Sequence, residues 1–424
     1  LKERKGPVVI DCPMDLQLAN LDENNSISLN ANIRNEGEEI KLKTKKIEYK
    51  RIVQDLIESK KPAILIGGGV SNKTSLLIKS FASSCMPNIA LIYSLRGLST
   101  CNTNHPSYCG YIGHTGNVLA NNILDNSDLL ICLGTRLDIR QTGSEFENFS
   151  KNKKIVLINN DPEELNSVRI KADIKLQIDC HDFIKDLKNN FAGNELTINF
   201  DKWFLEYKRD SQRKEDFDLE NKEGLNPAKS IAFILDRFNN LKKSKIISTG
   251  VGSHQHWTMR NLKFDSENDI LLTSSGHGTM GYDIPTAIGA AMECPDKIPI
   301  CICGDGSFFM NGFEIIKAIE LGLHFKLIII KNNSLGIVST FQNWKFGNRY
   351  MTSNFYSANL EEILIGMGMK FVNTYRSNED LKANCDDFIN IKSSSSIIIE
   401  CDSCYSVNPM VMVGDNLSDP TQFY

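Results

Sequence analysis

Two apolar runs that each end in small polar residues decide the fold. Residues 300–307 read Ile-Cys-Ile-Cys-Gly-Asp-Gly-Ser, and residues 326–334 read Lys-Leu-Ile-Ile-Ile-Lys-Asn-Asn-Ser. Short apolar runs bounded by turn residues predict strands that are buried on both faces of a sheet. The 27 positions from Asp305 to Asn332 accommodate a turn, one helix of about three turns and a return strand, as in a right-handed βαβ unit.

Polar groups are therefore expected to gather where these two strands end, the edge at which parallel α/β sheets bind ligands. Asp305 offers a carboxylate, Asn332 a side-chain carbonyl and Ser334 a main-chain oxygen, which are ligands that suit Mg²⁺ beside a phosphate. The glycines around Asp305 let a phosphate approach, and Ser307 leads towards a helix whose amino end favours anions. Either segment alone is also an ordinary turn or loop. Their pairing at two strand ends favours a metal and diphosphate site.

The same alternation of apolar runs and helical stretches fills two regions of the chain. Strands are predicted at residues 63–66, 89–93, 129–133 and 155–158 in the first region, and at 245–248, 300–303 and 326–330 in the second. Helices are predicted at residues 75–82, 228–238, 285–292 and 313–321. Continuously apolar strands separated by helices are typical of parallel sheets covered on both faces. The predicted fold class is α/β, with two doubly wound parallel-sheet domains at 47–188 and 226–424.

Three other stretches lack this alternation. A β-branched run at 6–11 ends before Pro13 and has no earlier strand to pair with, so residues 1–20 are expected to close a further domain. Residues 21–46 and 189–225 are rich in Asn, Lys and acidic residues, which predicts linkers.

Composition excludes several classes of function. The chain has 424 residues, which suggests two or three domains, with 41% hydrophobic and 24% charged residues and a net charge of -4. Without a basic excess, nucleic acid is not an expected partner. The apolar runs are strand-sized, so no membrane segment is expected. The basic first residues lack the apolar stretch of a secretory signal, and we expect a cytoplasmic protein.

Cysteines do not indicate a disulfide framework. The twelve cysteines are scattered, and Cys132, Cys301 and Cys303 lie inside apolar runs, so buried free thiols are expected. Cys401 and Cys404 form one Cys-x-x-Cys pair without a second pair of ligands. A zinc site is the alternative there.

The segment from Gly304 to Ser334 resembles the Gly-Asp-Gly to Asn signature of thiamine diphosphate-dependent enzymes, in which these positions bind Mg²⁺ and, through it, the diphosphate. Residues 250–257, Gly-Val-Gly-Ser-His-Gln-His-Trp, resemble the diphosphate contact of acetolactate synthases, with Ser253 where that family usually has Gln. The resemblance implies cofactor contacts from Gly252, Ser253, His254, Gly278, Met280, Gly304, Asp305, Gly306, Ser307, Asn332, Ser334, Leu335 and Gly336.

Residues 275–281, Ser-Gly-His-Gly-Thr-Met-Gly, resemble the glycine-rich turn of the same family. The resemblance implies that Met280 holds thiamine in a V shape and so takes part in catalysis. Met280 alone reads as an ordinary core residue, and its glycine neighbours favour the catalytic role. In this family, the Glu that activates the cofactor belongs to a pyrimidine-binding domain. Residues 6–15 resemble the closing strand of that domain. The resemblance therefore implies that this Glu lies outside residues 1–424.

The middle region resembles the part of acetolactate synthases that contacts FAD. Residues 133–143 resemble the family run Leu-Gly-x-Arg-x-Asp-x-Arg-x-Thr-Gly, and a glycine triplet follows the strand at 63–66. The implied contacts are Gly67, Gly68, Gly69, Gly134, Arg136, Asp138, Arg140 and Asp161. Arg136 and Asp138 also suit a surface ion pair. His-Thr-Gly at 114–116 and Ile-Asn-Asn-Asp at 158–161 depart from the family's Met-His-Gly and Ile-Asp-Ile-Asp, so FAD, ADP and no ligand all remain open.

The resemblance implies decarboxylation of a 2-oxo acid, pyruvate, and transfer of the two-carbon unit to a carbonyl acceptor. It also implies a homodimer or homotetramer, because the family's cofactor lies between subunits. Phe341 stands where acetolactate synthases place a Trp that shapes the acceptor pocket, and its smaller ring leaves room for a different acceptor. The alternatives are a 2-oxo-acid decarboxylase and a noncatalytic thiamine diphosphate-binding subunit.

Overall fold

A computed structural model describes residues 46–193, 196–200, 203–208, 211, 225–264, 268–403 and 405–421, together with Asp11, Pro13 and Asp15. The strand predicted at 6–11, the domain end at 1–20 and the linker at 21–46 lie outside the described residues apart from a few positions. Cys404 also lies outside them, so the structure does not bear on the Cys-x-x-Cys pair. All elements below belong to one unit, residues 44–424.

The first domain is built on a six-stranded parallel sheet with the order β3-β2-β1-β4-β5-β6. Its strands are β1 (Pro62–Ile66), β2 (Ala90–Tyr93), β3 (Tyr108–Tyr111), β4 (Leu129–Leu133), β5 (Lys154–Asn159) and β6 (Ile174–Gln177). Its helices are α1 (Lys46–Glu58), α2 (Asn72–Ser84), α3 (Val118–Asn126), α4 (Ile139–Thr142), α5 (Phe146–Ser150), α6 (Pro162–Ser167) and α7 (Cys180–Gly193), with a 3₁₀ turn at Gly97–Thr100.

The second domain repeats this plan with the order β11-β12-β10-β9-β7-β8, again all parallel. Its strands are β7 (Lys245–Thr249), β8 (Ile270–Thr273), β9 (Ile298–Gly304), β10 (Lys326–Lys331), β11 (Phe371–Tyr375) and β12 (Ser395–Glu400). Its helices are α8 (Pro227–Asn240), α9 (Ser253–Arg260), α10 (Asp283–Glu293), α11 (Asp305–Asn311), α12 (Glu314–Glu320), α13 (Gly336–Phe346), α14 (Leu360–Gly366) and α15 (Asn378–Asn390). The α/β fold class with two doubly wound parallel sheets is confirmed.

The apolar runs form strands because both of their faces are buried. In β9, Ile300 and Ile302 belong to one hydrophobic cluster, while Cys301 and Cys303 point to another on the opposite face. Alternate side chains of a strand point to opposite faces, so a run of consecutive apolar residues suits a sheet covered on both sides. The prediction that Cys132, Cys301 and Cys303 are buried free thiols is confirmed.

The seven strands predicted between residues 63 and 330 are all present, with bounds that differ by at most two residues, whereas the strand predicted at 6–11 is not among the described residues. The single helix expected between Asp305 and the return strand was wrong. Two short helices, α11 and α12, occupy that connection, and the first of them begins at Asp305 itself. Gly312 ends α11 and packs closely on Phe308, where a Cβ would meet the Phe308 carbonyl oxygen at 2.6 Å. A glycine at this close contact separates the two helices.

The polar stretch expected as a linker at 189–225 includes residues that pack on the first domain. Helix α7 extends to Gly193, and the buried Trp203 and Phe204 join the core cluster that also contains Leu130 and Cys132. The chain after β12 returns to the same domain, where Leu417 enters that cluster. Across the described residues, none of the helices has the length and apolarity needed to span a bilayer.

Candidate functional site

The order of the second sheet reverses at β7. Strand β8 lies on one side of β7, whereas β9 and β10 lie on the other. The carboxyl ends of strands at such a reversal border a crevice in which doubly wound proteins bind ligands. Three predicted segments follow these strands: 250–254 after β7, 304–307 after β9 and 332–336 after β10.

Asp305 is buried at the end of β9 and is the first residue of α11. Its Oδ2 accepts a hydrogen bond from the Asn333 amide at 2.8 Å, and its Oδ1 accepts one from the Gly306 amide at 2.9 Å. Burial raises the pKa of Asp305 to about 6, although these backbone donors favour the charged form. A cation would offset the cost of this buried carboxylate.

Asn332 and Ser334 lie beside Asp305 because β9 and β10 are neighbours in register. Asn333 between them adopts a left-handed backbone with φ 56°, and its amide is the one that reaches Asp305. The Asn332 Oδ1 accepts a hydrogen bond from the Ser334 amide at 3.2 Å. The Ser334 hydroxyl is hydrogen-bonded to the hydroxyl of Ser339. A metal contact from Ser334 would therefore come from its main chain, as the sequence analysis expected.

In the segment that follows β7, the buried atoms Ser253 Oγ and His254 Nε2 have no hydrogen-bond partner among the described residues. Gly336 touches both neighbouring segments, since a Cβ there would lie 2.8 Å from Ser253 Oγ and 3.3 Å from Asn332 Nδ2. The segments after β7 and β10 are therefore in contact. A buried polar atom without a partner is costly, and a phosphate oxygen would satisfy Ser253 Oγ. These residues fit a diphosphate.

The His254 ring lies between two glycines of the predicted set. A Cβ on Gly252 would meet its Nδ1 at 2.5 Å, and one on Gly304 would meet the same atom at 3.1 Å. Its Nε2 lies 3.6 Å from Oδ2 of Asp283, which is in ion-pair range but longer than a hydrogen bond. Asp283 did not emerge from the sequence analysis. The only signal would have been an acidic residue at the start of the otherwise apolar helix α10.

The glycine-rich turn at 275–281 brings Met280 to the same crevice. Gly281 has a φ of 75°, and its amide donates to Ser307 Oγ at 2.8 Å. A Cβ on Gly306 would lie 2.9 Å from Leu335 Cδ2 and 3.6 Å from Met280 Cε. Met280, Gly306 and Leu335 therefore form an apolar wall beside Asp305.

Phe341 lies outside this cluster. It is 47% exposed on α13, where its ring packs on those of Trp344 and Phe346 at centroid distances of 5.8 and 6.1 Å. The structure thus places Phe341 on an exposed face of α13, the helix that begins at Gly336.

The residues predicted for FAD gather at the reversal between β1 and β4, but many of their polar groups have protein partners. The amides of Gly67 and Gly69 donate to the carbonyls of Leu133 and Gly134 at 2.8 and 2.9 Å. Asp161 caps α6 through the amides of Glu163 and Glu164. Two further members pair with each other on the surface: Arg136 with Asp138, at 3.6 Å.

Arg140 and Arg96 reach from the first domain to the second. Arg140 Nη1 donates to the Ser275 carbonyl at 3.4 Å, and Arg96 Nη1 donates to that of Thr273 at 3.2 Å. Thr115, in one of the segments that departs from the family, is hydrogen-bonded through Oγ1 to His256 Nδ1 at 2.9 Å. Tertiary contacts between the domains therefore use three positions near the predicted nucleotide segments.

Comparison with known proteins gives two matching family models. The description "Thiamine pyrophosphate enzyme, C-terminal TPP binding domain" covers residues 250–401, and "Thiamine pyrophosphate enzyme, central domain" covers residues 49–187.

Several similar proteins are acetolactate synthases. The large subunit from Cyanidium caldarium is 30% identical, and the alignment covers 98% of this chain and 70% of the relative. A probable large subunit from Methanococcus aeolicus is 30% identical over 91% of this chain and 66% of the relative. The chloroplastic acetolactate synthase 2 of Nicotiana tabacum is 33% identical over 86% of this chain and 52% of the relative. The chain thus spans between about half and seven tenths of the length of these relatives.

Proposed function

Because the chain belongs to the thiamine pyrophosphate enzymes, and within them to the acetolactate synthase large-subunit family, we propose that the full-length protein decarboxylates pyruvate and transfers the two-carbon unit to a carbonyl acceptor. One observation carries this proposal. A buried carboxylate, a buried amide and two buried polar atoms without hydrogen-bond partners lie together after β7, β9 and β10, at the reversal of the second sheet.

Three residues are proposed to hold Mg²⁺: Asp305 through its carboxylate, Asn332 through its side-chain carbonyl and Ser334 through its main chain. The hard oxygen ligands suit this ion, which also takes phosphate oxygens. Ser253 is proposed to bind the diphosphate, because its buried Oγ has no hydrogen-bond partner among the described residues. His254 is proposed as a second contact through Nδ1, since its Nε2 lies 3.6 Å from Oδ2 of Asp283. The remaining cofactor contacts are proposed for the flanking glycines and for Ser307 and Leu335.

Bound there, thiamine diphosphate supplies the electron-accepting centre that removal of carbon dioxide from a 2-oxo acid requires. The residues of this chain bind and orient it. Met280 and Leu335 form the apolar support next to Gly306. Phe341, on an exposed face of α13, is proposed to limit the size of the carbonyl acceptor.

We propose that the full-length protein is a homodimer or homotetramer. Large apolar side chains are exposed on and just after α11, next to Asp305: Phe309, Met310 and Phe313 are 42, 57 and 74% exposed. Exposed apolar surface beside a ligand crevice is typical of protein contacts. Sedimentation of the full-length protein tests this, and a monomer at all concentrations would contradict it.

FAD in the first domain is proposed on the family resemblance and on the crevice between β1 and β4. The fit of the described residues is incomplete, because the amides of Gly67 and Gly69 and the carboxylate of Asp161 are already used within the protein. We therefore derive no step through FAD. The visible absorption spectrum of the purified full-length protein tests whether a flavin is present.

The activity is tested by titrating the full-length protein with Mg²⁺ and thiamine diphosphate and then supplying pyruvate. Acetolactate or another coupled ketol among the products supports ligation. Acetaldehyde as the sole product would identify a decarboxylase, and cofactor binding without turnover would identify a noncatalytic subunit. Failure to bind the cofactor would overturn the whole proposal.

A further inference from the structure

We propose that Asp283 is a positioning residue of the diphosphate site, whose buried carboxylate holds the His254 imidazole in place for the cofactor. The inference rests on the proposed function, since it assigns a partner to one of the proposed diphosphate contacts. Asp283 itself is not proposed to touch the cofactor.

Asp283 connects three segments around the crevice. It is fully buried, and its Oδ2 accepts hydrogen bonds from the Gly250 amide at 3.2 Å and from Ser307 Oγ at 2.8 Å. Its Oδ1 accepts one from the Ile284 amide at 3.1 Å. Gly250 follows β7, Ser307 lies in α11, and Asp283 begins α10. The carboxylate therefore ties the loop that leads to His254 to the helix that carries Asp305.

The charge on this carboxylate needs a partner, because an ionised group that is removed from water is costly unless it is paired. Among the described residues, His254 is the basic side chain within ion-pair range, at 3.6 Å. The thiols of Cys301 and Cys303 are also close to the carboxylate. Burial raises the pKa of both thiols, so they stay neutral and supply no counter-charge. His254 is left as the group on which Asp283 acts.

The geometry of the ring gives this pair a direction. Nε2 faces Asp283, while Nδ1 lies against Gly252 and Gly304, the two glycines at the ends of β7 and β9. A carboxylate that contacts one ring nitrogen fixes the orientation of the ring, as it does for histidines that bind metals. Asp283 is an anion with three donors already on it, so a direct contact with a diphosphate would be repulsive. Its effect on the cofactor is therefore exerted through His254.

The test measures the dissociation constant of thiamine diphosphate, at saturating Mg²⁺, by calorimetry on the full-length protein. We compare the wild type with Asp283→Asn, His254→Gln and the double variant. Loss of a residue that orients a metal-binding histidine typically costs about 10- to 100-fold in metal affinity. We expect Asp283→Asn to weaken cofactor binding by a factor in the same range. If Asp283 acts through His254, Asp283→Asn should add little in the His254→Gln background.

Asp269→Asn is the matched control. The Asp269 side chain is also fully buried, but it pairs with Lys245 at 2.9 Å at the opposite end of the sheet, where β7 and β8 begin. Asp269→Asn should lower the thermal midpoint and leave the dissociation constant of thiamine diphosphate unchanged. Asp283→Glu, which keeps the charge, is a second route if Asp283→Asn loses the circular dichroism spectrum of the wild type.

The outcomes separate the two claims. A wild type that does not bind the cofactor overturns the proposed function. A wild type that binds, together with a folded Asp283 variant of unchanged affinity, overturns the role of Asp283 alone. Additive losses in the double variant would do the same, because they would show that Asp283 acts independently of His254.

Discussion

Asp305 shows how one residue can be costly for the fold and still be suited to function. Its pKa is raised to about 6 by burial, so near neutral pH the folded protein holds an ionised carboxylate that water would stabilise better. Groups held at such a cost are common at binding sites, where a ligand offsets it.

Asp305→Asn should therefore have opposite effects on stability and on binding. Without ligands the thermal midpoint should rise, because the amide removes a buried charge. Mg²⁺-dependent affinity for thiamine diphosphate should fall by about 100-fold, the scale of a lost charged contact. Scanning fluorimetry and calorimetry measure the two. Asp386→Asn, which changes a half-exposed acid in the same domain, should alter neither. Unchanged affinity in Asp305→Asn would remove Asp305 from the metal site.

His256 should make stability depend on pH. Burial, followed by the nearby His114, Arg260, His254 and Arg140, lowers its pKa well below the usual 6.5. As pH falls through about 6.5, His256 becomes protonated in the unfolded chain but stays neutral in the folded protein. The free energy of unfolding therefore falls by at most about 1.4 kcal/mol per pH unit. His256→Gln should flatten the decline of the thermal midpoint between about pH 7 and 5. His324→Gln, at an exposed position, should keep the wild-type profile.

At the scale of elements, the turn from β8 to α10 depends on glycine. Gly281 combines a φ of 75° with close contacts, since a Cβ would meet Asn311 Nδ2 at 2.7 Å and Met310 Cβ at 2.9 Å. Gly322 has a φ of 63° but no atom within 4 Å of such a Cβ. Substitutions at these two glycines therefore distinguish the effect of backbone strain from the effect of close packing.

Gly322→Ala should be destabilising by about 1 kcal/mol, from the left-handed backbone alone. Gly281→Ala should be more destabilising and should also weaken binding of thiamine diphosphate, because the clash displaces the turn that carries Met280. Thermal midpoints and dissociation constants of both variants check this. Equal midpoints for the two variants would mean that the contacts around Gly281 yield easily.

At the scale of the whole molecule, Arg260 joins the first domain, the second domain and the segment after β12. From α9, its guanidinium donates to the carbonyls of Thr115 at 2.9 Å, Asn408 at 2.7 Å and Pro409 at 2.5 Å. Hydrogen bonds from a charged donor stabilise more than neutral ones, about 1.5–3 kcal/mol each. The contact therefore couples unfolding of the two domains.

Arg260→Ala should divide thermal unfolding into two transitions, because three buried or half-buried carbonyls each lose a charged donor. Differential scanning calorimetry of the full-length protein measures this. Arg237→Ala, which removes a surface pair with Asp386 at 3.4 Å and a cation–π contact with Phe233 on the same helix, should keep the wild-type transition. A single unshifted transition in Arg260→Ala would show that other contacts hold the domains together.

Several features of the fold were predictable from local sequence. The apolar runs at β1, β4, β9 and β10 predicted buried parallel strands, because a strand that is covered on both faces is apolar at consecutive positions. Strands β3, β6, β8, β11 and β12 were not predicted. They are short or carry polar residues, as in Tyr-Cys-Gly-Tyr of β3, so packing against neighbours decides their structure.

The sequence by itself determined the α/β class and the placement of Asp305 and Asn332 at neighbouring strand ends, because both follow from patterns a few tens of residues long. Only the tertiary structure decided that Asp283 faces His254, that Gly336 touches Ser253 and that Arg140 reaches Ser275. These contacts join segments whose proximity depends on strand order and on the contact between the two domains. No local pattern encodes that order, since it is set by how the whole chain buries its apolar faces.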